Sequence, residues 1–204
     1  MGDPLPGPRL MAGHFELLPG GGAAVALDEV EVSILRSLAV QLLELIGPGD
    51  EPDADADPLA ALFAEGPSEP PSDPALRRLF PDAYGDDTEE LRAAAADFRR
   101  FTENDLRARK REDALAVVRA LDGLAGGEGP EAAAVLKLTP DESRAWLGAL
   151  NDLRLTIATR LDITEDEESE RLYRLPDSDP RKPMVMAYLW LGALQESLVE
   201  TLMS

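Results

Sequence analysis

The apolar pattern is clearest between Leu138 and Leu161, where Trp146, Leu150, Leu153, Ile157 and Leu161 recur at three- and four-residue steps. That spacing puts them on one face of an α-helix. Thr139 precedes the run, Pro140 takes the first helical position and Glu142 follows three residues after the threonine, which completes a capping box. A second helix opens the same way. Asp28 pairs with Glu31, and Val30, Ile34, Leu38, Leu42 and Leu45 form its predicted core stripe to about Ile46, before Gly47-Pro48-Gly49 ends it. Thr88 to Leu124 carries two stripes, Leu91/Ala94/Phe98/Phe101 and Ala114/Val117/Leu121/Leu124. Thr102-Glu103-Asn104-Asp105 reads as a further capping box and predicts two helices meeting near Phe101, with one continuous helix as the alternative. Asp73 is the expected cap of a short helix ending near Phe80, and Pro183 opens a last helix that runs to the C-terminus.

Strand signals are fewer. Within residues 14–27, two short apolar runs flank Pro19-Gly20-Gly21-Gly22, the pattern of a β-hairpin. Ala134–Leu138 reads as a short strand. The predicted architecture is therefore mainly α: a single-domain helical bundle with a small N-terminal β-hairpin and a candidate third strand. Ala24–Ile46 and Val135–Ile157 also echo one another at an offset of 111 residues, Leu27 matching Leu138 and Glu31 matching Glu142. A duplicated β-α unit and the chance likeness of two amphipathic helices both account for this.

Charge changes the picture of the middle of the chain. The net charge is -20. Asp50 to Asp73 holds eight acidic residues and no basic one, Asp162 to Glu170 holds six more, and residues 47–75 contain seven prolines. The expected organisation is a disordered N-terminus at 1–8 and one helical domain over 9–204, interrupted by a disordered acidic, proline-rich linker at 47–72. A second acidic loop covers 162–170. The balance of charge disfavours nonspecific binding to nucleic acid or to anionic membrane. The most apolar run, Met184–Leu194, has 11 residues, too few to span a bilayer. No basic start followed by an apolar run marks a signal peptide, and there is no cysteine, which together fit a cytoplasmic protein. Without cysteine there is no disulfide, thiolate nucleophile or thiolate metal site.

Candidate chemistry is sparse. The single histidine, His14, cannot build a triad or a histidine-rich zinc site. Asp53, Asp55 and Asp57 have the opening spacing of a calcium loop, but Pro58 and Ala64 stand where that loop needs glycine and glutamate. No phosphate-binding loop and no Glu-x-x-His pair is present. No catalytic residue, metal or cofactor is expected. Two clusters remain. Arg99, Arg100, Arg107, Arg109, Lys110 and Arg111 form the one basic stretch, a candidate partner-binding face or a solvated helix face. Asn151, Asp152, Arg154, Gln195 and Glu196 form a candidate buried polar network, in which a buried Glu196 would take Arg154 as its cation.

Four blocks carry a family resemblance: DPALRRLFPDAY (73–84), RRFTENDLRARKREDA (99–114), WLGALNDLRLTIATRL (146–161) and YLWLGALQESLVETLM (188–203). In order and spacing they resemble the actinobacterial domain-of-unknown-function 2017 (AosR-like) family, which includes an oxidative-stress transcriptional regulator. The resemblance implies a cytoplasmic, non-enzymatic regulatory or adaptor protein. It would act through protein–protein contacts with transcription machinery, a sigma factor or RNA polymerase being the partner implied. Redox-responsive members are described as using a cysteine pair, and this chain has none, so a disulfide switch cannot operate. Direct DNA binding through the basic stretch, and an enzyme or ligand-binding domain built on Asp152, Arg154 and Glu196, are the alternatives. A homo-oligomer is left open.

Overall fold

The structure, a computed structural model, describes residues 13–47, 66–85, 87–124, 134–163 and 174–204. In chain order the elements are β1 (Glu16–Leu17), β2 (Ala23–Leu27), α1 (Glu29–Ile46), α2 (Pro74–Leu79), α3 (Glu89–Leu124), β3 (Ala134–Leu138), α4 (Pro140–Arg160) and α5 (Lys182–Met203). The fold is mainly α, as the periodicity predicts. The hairpin does acquire its third strand: the sheet is antiparallel in the order β1-β2-β3. No described helix is long and apolar enough to cross a membrane.

Both strong helix starts form as their sequences dictate. The Asp28 carboxylate accepts from the Glu31 N–H at 2.8 Å, and the Glu31 carboxylate accepts from the Asp28 N–H at 2.9 Å. Thr139 and Glu142 repeat the exchange at α4, behind Pro140. Each cap satisfies donors the helix cannot and contributes about 1 kcal/mol. Asp73 caps α2 through the N–H groups of Ala75 and Leu76.

The two capped helices each follow directly from a strand, and those strands are neighbours. Ala23 pairs with Leu138 and Leu27 with Ala134. Exchanging each residue for its counterpart 111 positions away returns the same two pairs. The internal echo thus coincides with a local two-fold relation between β2-α1 and β3-α4.

The core gathers on α4, which packs against α3, α5 and α2. Trp146, Leu150, Leu153, Ile157 and Leu161 are all buried, and the Trp146 ring meets Phe15 edge-on at 6.0 Å. Every residue of β2 is buried, so the central strand is closed on both faces.

Two predicted stripes face the other way. On α1 the buried residues are Leu35, Ala39, Leu42 and Ile46, while Val30 and Ile34 stay 64% and 43% exposed. The helix carries two apolar stripes that share Leu42, and the core takes the adjacent one. α3 is one unbroken helix of 36 residues, about 54 Å long. Thr102 caps nothing; its hydroxyl donates to the Phe98 carbonyl one turn back. Along the first half of α3, Leu91, Phe98 and Phe101 face outward, and Ala95, Arg99 and Glu103 face inward. The second half behaves as predicted, with Ala114, Val117 and Leu121 buried.

The expected disordered N-terminus at 1–8, residues 48–65 of the expected linker at 47–72, and most of the acidic loop after Asp162 lie outside the described residues. From residue 66 the chain is described, and the Gly66 N–H donates to the Arg100 carbonyl at 2.8 Å.

Gly22 is where hairpin and sheet meet most tightly. Its φ is +83°, and a Cβ there would lie 2.2 Å from the Leu138 carbonyl oxygen. Gly20 has φ +95° but open space around it. Urea unfolding should show Gly22→Ala destabilised by about 3 kcal/mol and Gly20→Ala by only about 1 kcal/mol, since the first adds a backbone clash to the shared left-handed strain. Equal losses would mean the hairpin moves freely off β3.

Candidate functional site

The basic stretch of α3 folds into an ordered ladder. Glu103, 3% exposed, holds Arg99 one turn before it and Arg107 one turn after it, the latter at 2.7 Å. Arg99 also donates to the Phe80 carbonyl at 2.8 Å and to Asp82 at 2.9 Å. Burial opposes the charge on Arg99, but the hydrogen bonds it donates to Asp82 and Glu103, with the charge of those carboxylates, outweigh that and hold its pKa above the ordinary arginine value. The Arg107 guanidinium lies over the Phe80 ring, 4.4 Å from its centre.

Arg107 and Arg111 have a second task. Arg107 donates to the Ile46 carbonyl at 2.7 Å, and Arg111 donates to the carbonyls of Leu43 and Gly47. These carbonyls lie at the end of α1, a helix with no basic residue in its own last turn; that of Leu43 also accepts from the Gly47 N–H. α3 therefore supplies the cations that the negative end of α1 lacks.

The remaining cations divide. Lys110 pairs with Asp152 of α4 at 2.6 Å. Arg100 pairs with Asp97 and stands over Phe101, 4.8 Å from the ring centre. Arg109 is exposed and, among the described residues, makes no hydrogen bond or ion pair. The six residues thus do not form one open face: Arg99, Arg107, Lys110 and Arg111 hold the fold together, and Arg100 and Arg109 face outward. On the outer side of α3, Leu91, Phe98 and Phe101 form an apolar stripe, with Arg100 over the Phe101 ring and Tyr84 edge-on to Phe98 at 6.2 Å. The stripe is visible in the sequence, but its periodicity assigns it to the core.

The second cluster separates into two pairs and a free group. Asp152, 2% exposed, turns toward α3 and Lys110. Burial pushes its carboxyl up, with Lys110 and Asn151 pulling against that. Asp113 stands close by; burial raises its carboxyl, Arg109 lowers it and Asp152 raises it further. Asp113 was not legible as part of the site. Its place depends on Gly148 of α4, where a Cβ would come within 2.7 Å of its carboxylate oxygen. Arg154 turns the other way, toward α5. It donates to Gln195 at 2.6 Å and lies over the Tyr188 ring at 5.2 Å, and Gln195 reaches Asn151 at 3.5 Å. Asn151 and Glu196 are exposed. The expected buried Glu196–Arg154 pair does not form, because the helix face bearing Glu196 is open to solvent and Arg154 is taken by its neighbour Gln195. Asp152, Arg154 and Glu196 therefore do not converge on one pocket. Among the described residues, no group of three or more histidines and carboxylates is placed to hold a metal ion.

The family described as a domain of unknown function, DUF2017, matches residues 12–202. The putative oxidative stress regulator AosR of Mycobacterium leprae is 34% identical over 185 residues, covering 85% of this chain and 79% of that protein. The oxidative stress regulators AosR of Mycobacterium bovis and Mycobacterium tuberculosis are each 31% identical over 176 residues, covering 85% of this chain and 78% of theirs. No solved structure matches significantly.

Glu103→Ala leaves Arg99 and Arg107 without their shared buried anion and should cost about 3 kcal/mol in urea unfolding, whereas Arg109→Ala should stay within about 0.5 kcal/mol of the parent. A small loss at Glu103 would show that Asp82 and the α1 carbonyls alone satisfy the ladder. Asp152 gives a pH test. Its folded pKa lies above its unfolded value, so the folded state binds the proton first and stability falls as pH rises through that interval. Relative to Asp152→Asn, the parent should gain stability as pH drops from neutral toward the ordinary carboxylate range. A difference that shrinks in the opposite direction would place the Lys110 pairing above the burial cost.

Proposed function

The chain belongs to the DUF2017 family, and from that premise we propose that it is a non-enzymatic regulatory or adaptor protein that works through protein–protein contacts with transcription machinery. The observation carrying this reading is the similarity to the mycobacterial oxidative stress regulators across 85% of the chain. The partner in this reading is a sigma factor or RNA polymerase. The contact surface is the outward side of α3, where Phe98 and Phe101 are 48% and 64% exposed and Arg100 stands over the Phe101 ring. Exposed aromatics next to arginine are the composition that anchors protein interfaces. Its input is not a disulfide, since the chain has no cysteine.

Direct DNA binding is the weaker reading. Arg99, Arg107, Lys110 and Arg111 are engaged within the fold, and the chain carries a net charge of -20. Of the basic stretch, that leaves Arg100 and Arg109, too few to neutralise several phosphates.

The test is direct binding of the purified chain to RNA polymerase with and without its alternative sigma factors, and to duplex DNA, at low and moderate salt. Binding to the protein partner should persist at moderate salt and fall at least tenfold in Phe98→Ser/Phe101→Ser, positions exposed enough to leave the fold intact. Affinity for DNA alone that drops steeply with salt and ignores the phenylalanines would replace this function with the DNA-binding one.

A further inference from the structure

The predicted core stripe of α1 has a use outside the core. Leu38 and Leu45 of α1, Ile157 of α4, and Met184 and Ala187 of α5 wall a groove of about 620 Å³. That volume lies in the range of small-molecule sites, roughly 300–1,000 Å³, which are mainly apolar with few polar groups. The groove is walled by three helices and open to solvent, and its lining includes two of the more exposed apolar side chains, Ile34 at 43% and Met184 at 39%.

Its polar lining is small and specific. Arg160, in the last turn of α4, lines the groove and has no hydrogen-bond or ion-pair partner among the described residues. The Thr156 hydroxyl donates to the Asp152 carbonyl and keeps its lone pairs. Gln41 donates to Ser37 and retains its carbonyl oxygen. Glu44 is the one anion of the lining and is likewise without a partner among the described residues.

We propose that this groove binds a small amphipathic carboxylate: an apolar chain or ring system buried against α1, α4 and α5, with its single anionic group on Arg160. An apolar body accounts for the walls, and one negative charge accounts for the one unpaired cation. Glu44 limits the ligand to a single charge and weakens its binding. Occupancy would tie α1, α4 and α5 together and stabilise the folded chain in proportion to ligand concentration. The site lies on different residues from the outer side of α3, so it holds whether or not α3 binds a protein. It also supplies an input that needs no thiol.

The test uses the full chain with dodecanoate below its micelle concentration, read by calorimetric titration and by the melting temperature. Dodecanol is the uncharged control, and phosphatidylglycerol vesicles present the same apolar-plus-anion chemistry as a membrane. Saturable binding of dodecanoate with a rise in melting temperature is expected. Arg160→Gln should weaken dodecanoate roughly tenfold and leave dodecanol unchanged, as the loss of one charge-assisted contact requires. Glu44→Gln should tighten dodecanoate. Ala187→Phe should abolish both, and Ile34→Asp, at an exposed position that leaves the core untouched, serves the same end if the phenylalanine impairs folding. No saturable binding, equal affinity for acid and alcohol, binding unaffected by Arg160→Gln, or binding to vesicles alone would each overturn the proposal.

Discussion

The end of α1 depends on charge borrowed from another helix. Its terminal carbonyls meet Arg107 and Arg111 of α3, and those arginines keep their direction because buried Glu103 holds Arg107 from behind. Glu103 in turn needs Arg99, which reaches Phe80 and Asp82 beyond α2. Four segments are thus fixed by one line of side chains along α3. A lone buried carboxylate in that place would be costly; shared between two guanidiniums that also bind carbonyls and a ring, it becomes a rigid joint. The long helix acts as a spine, aligned by polar contacts in its first half and by apolar packing in its second.

That division explains what was legible in the sequence and what was not. Element existence was readable nearly throughout: both capping boxes, the Asp73 cap, the hairpin and the strand at Ala134–Leu138 follow from local chemistry that tertiary context leaves alone. The α4 stripe was readable too, because α4 packs against partners along most of its length. Orientation was harder. Periodicity finds an apolar stripe but cannot choose between two, and α1 has two. On α3 it chose the wrong side, since Arg99 and Glu103 look solvent-facing until Asp82, Arg107 and the Phe80 carbonyl are known to meet them. The basic stretch stands out in the sequence as a run of charge. Its internal engagement depends on carbonyls at Ile46 and Gly47, some sixty residues away, which no spacing reveals.

The polar residues of α4 show the same limit at closer range. Asp152 and Arg154 are two positions apart, so they point to different neighbours, one toward α3 and the other toward α5. Grouping them into one network ignored that a helix turns by about 100° per residue. Gly148 is the feature that brings α3 close enough for Asp113 to join Asp152. As a buried and a half-buried carboxyl near one lysine, they make the α3–α4 seam polar at this point.

The pairing of β2 with β3 sets the order in which this chain can fold. β2 is an entirely buried pentapeptide, and among the described residues its earlier strand partner is the two-residue β1. Its main partner, β3, is more than a hundred residues further along. Closing so distant a contact is entropically slow, and topologies that require it fold later than those built from neighbours. As the chain emerges from the ribosome, the Ala23–Leu27 edge must wait, unpaired, until nearly two thirds of the protein has been made.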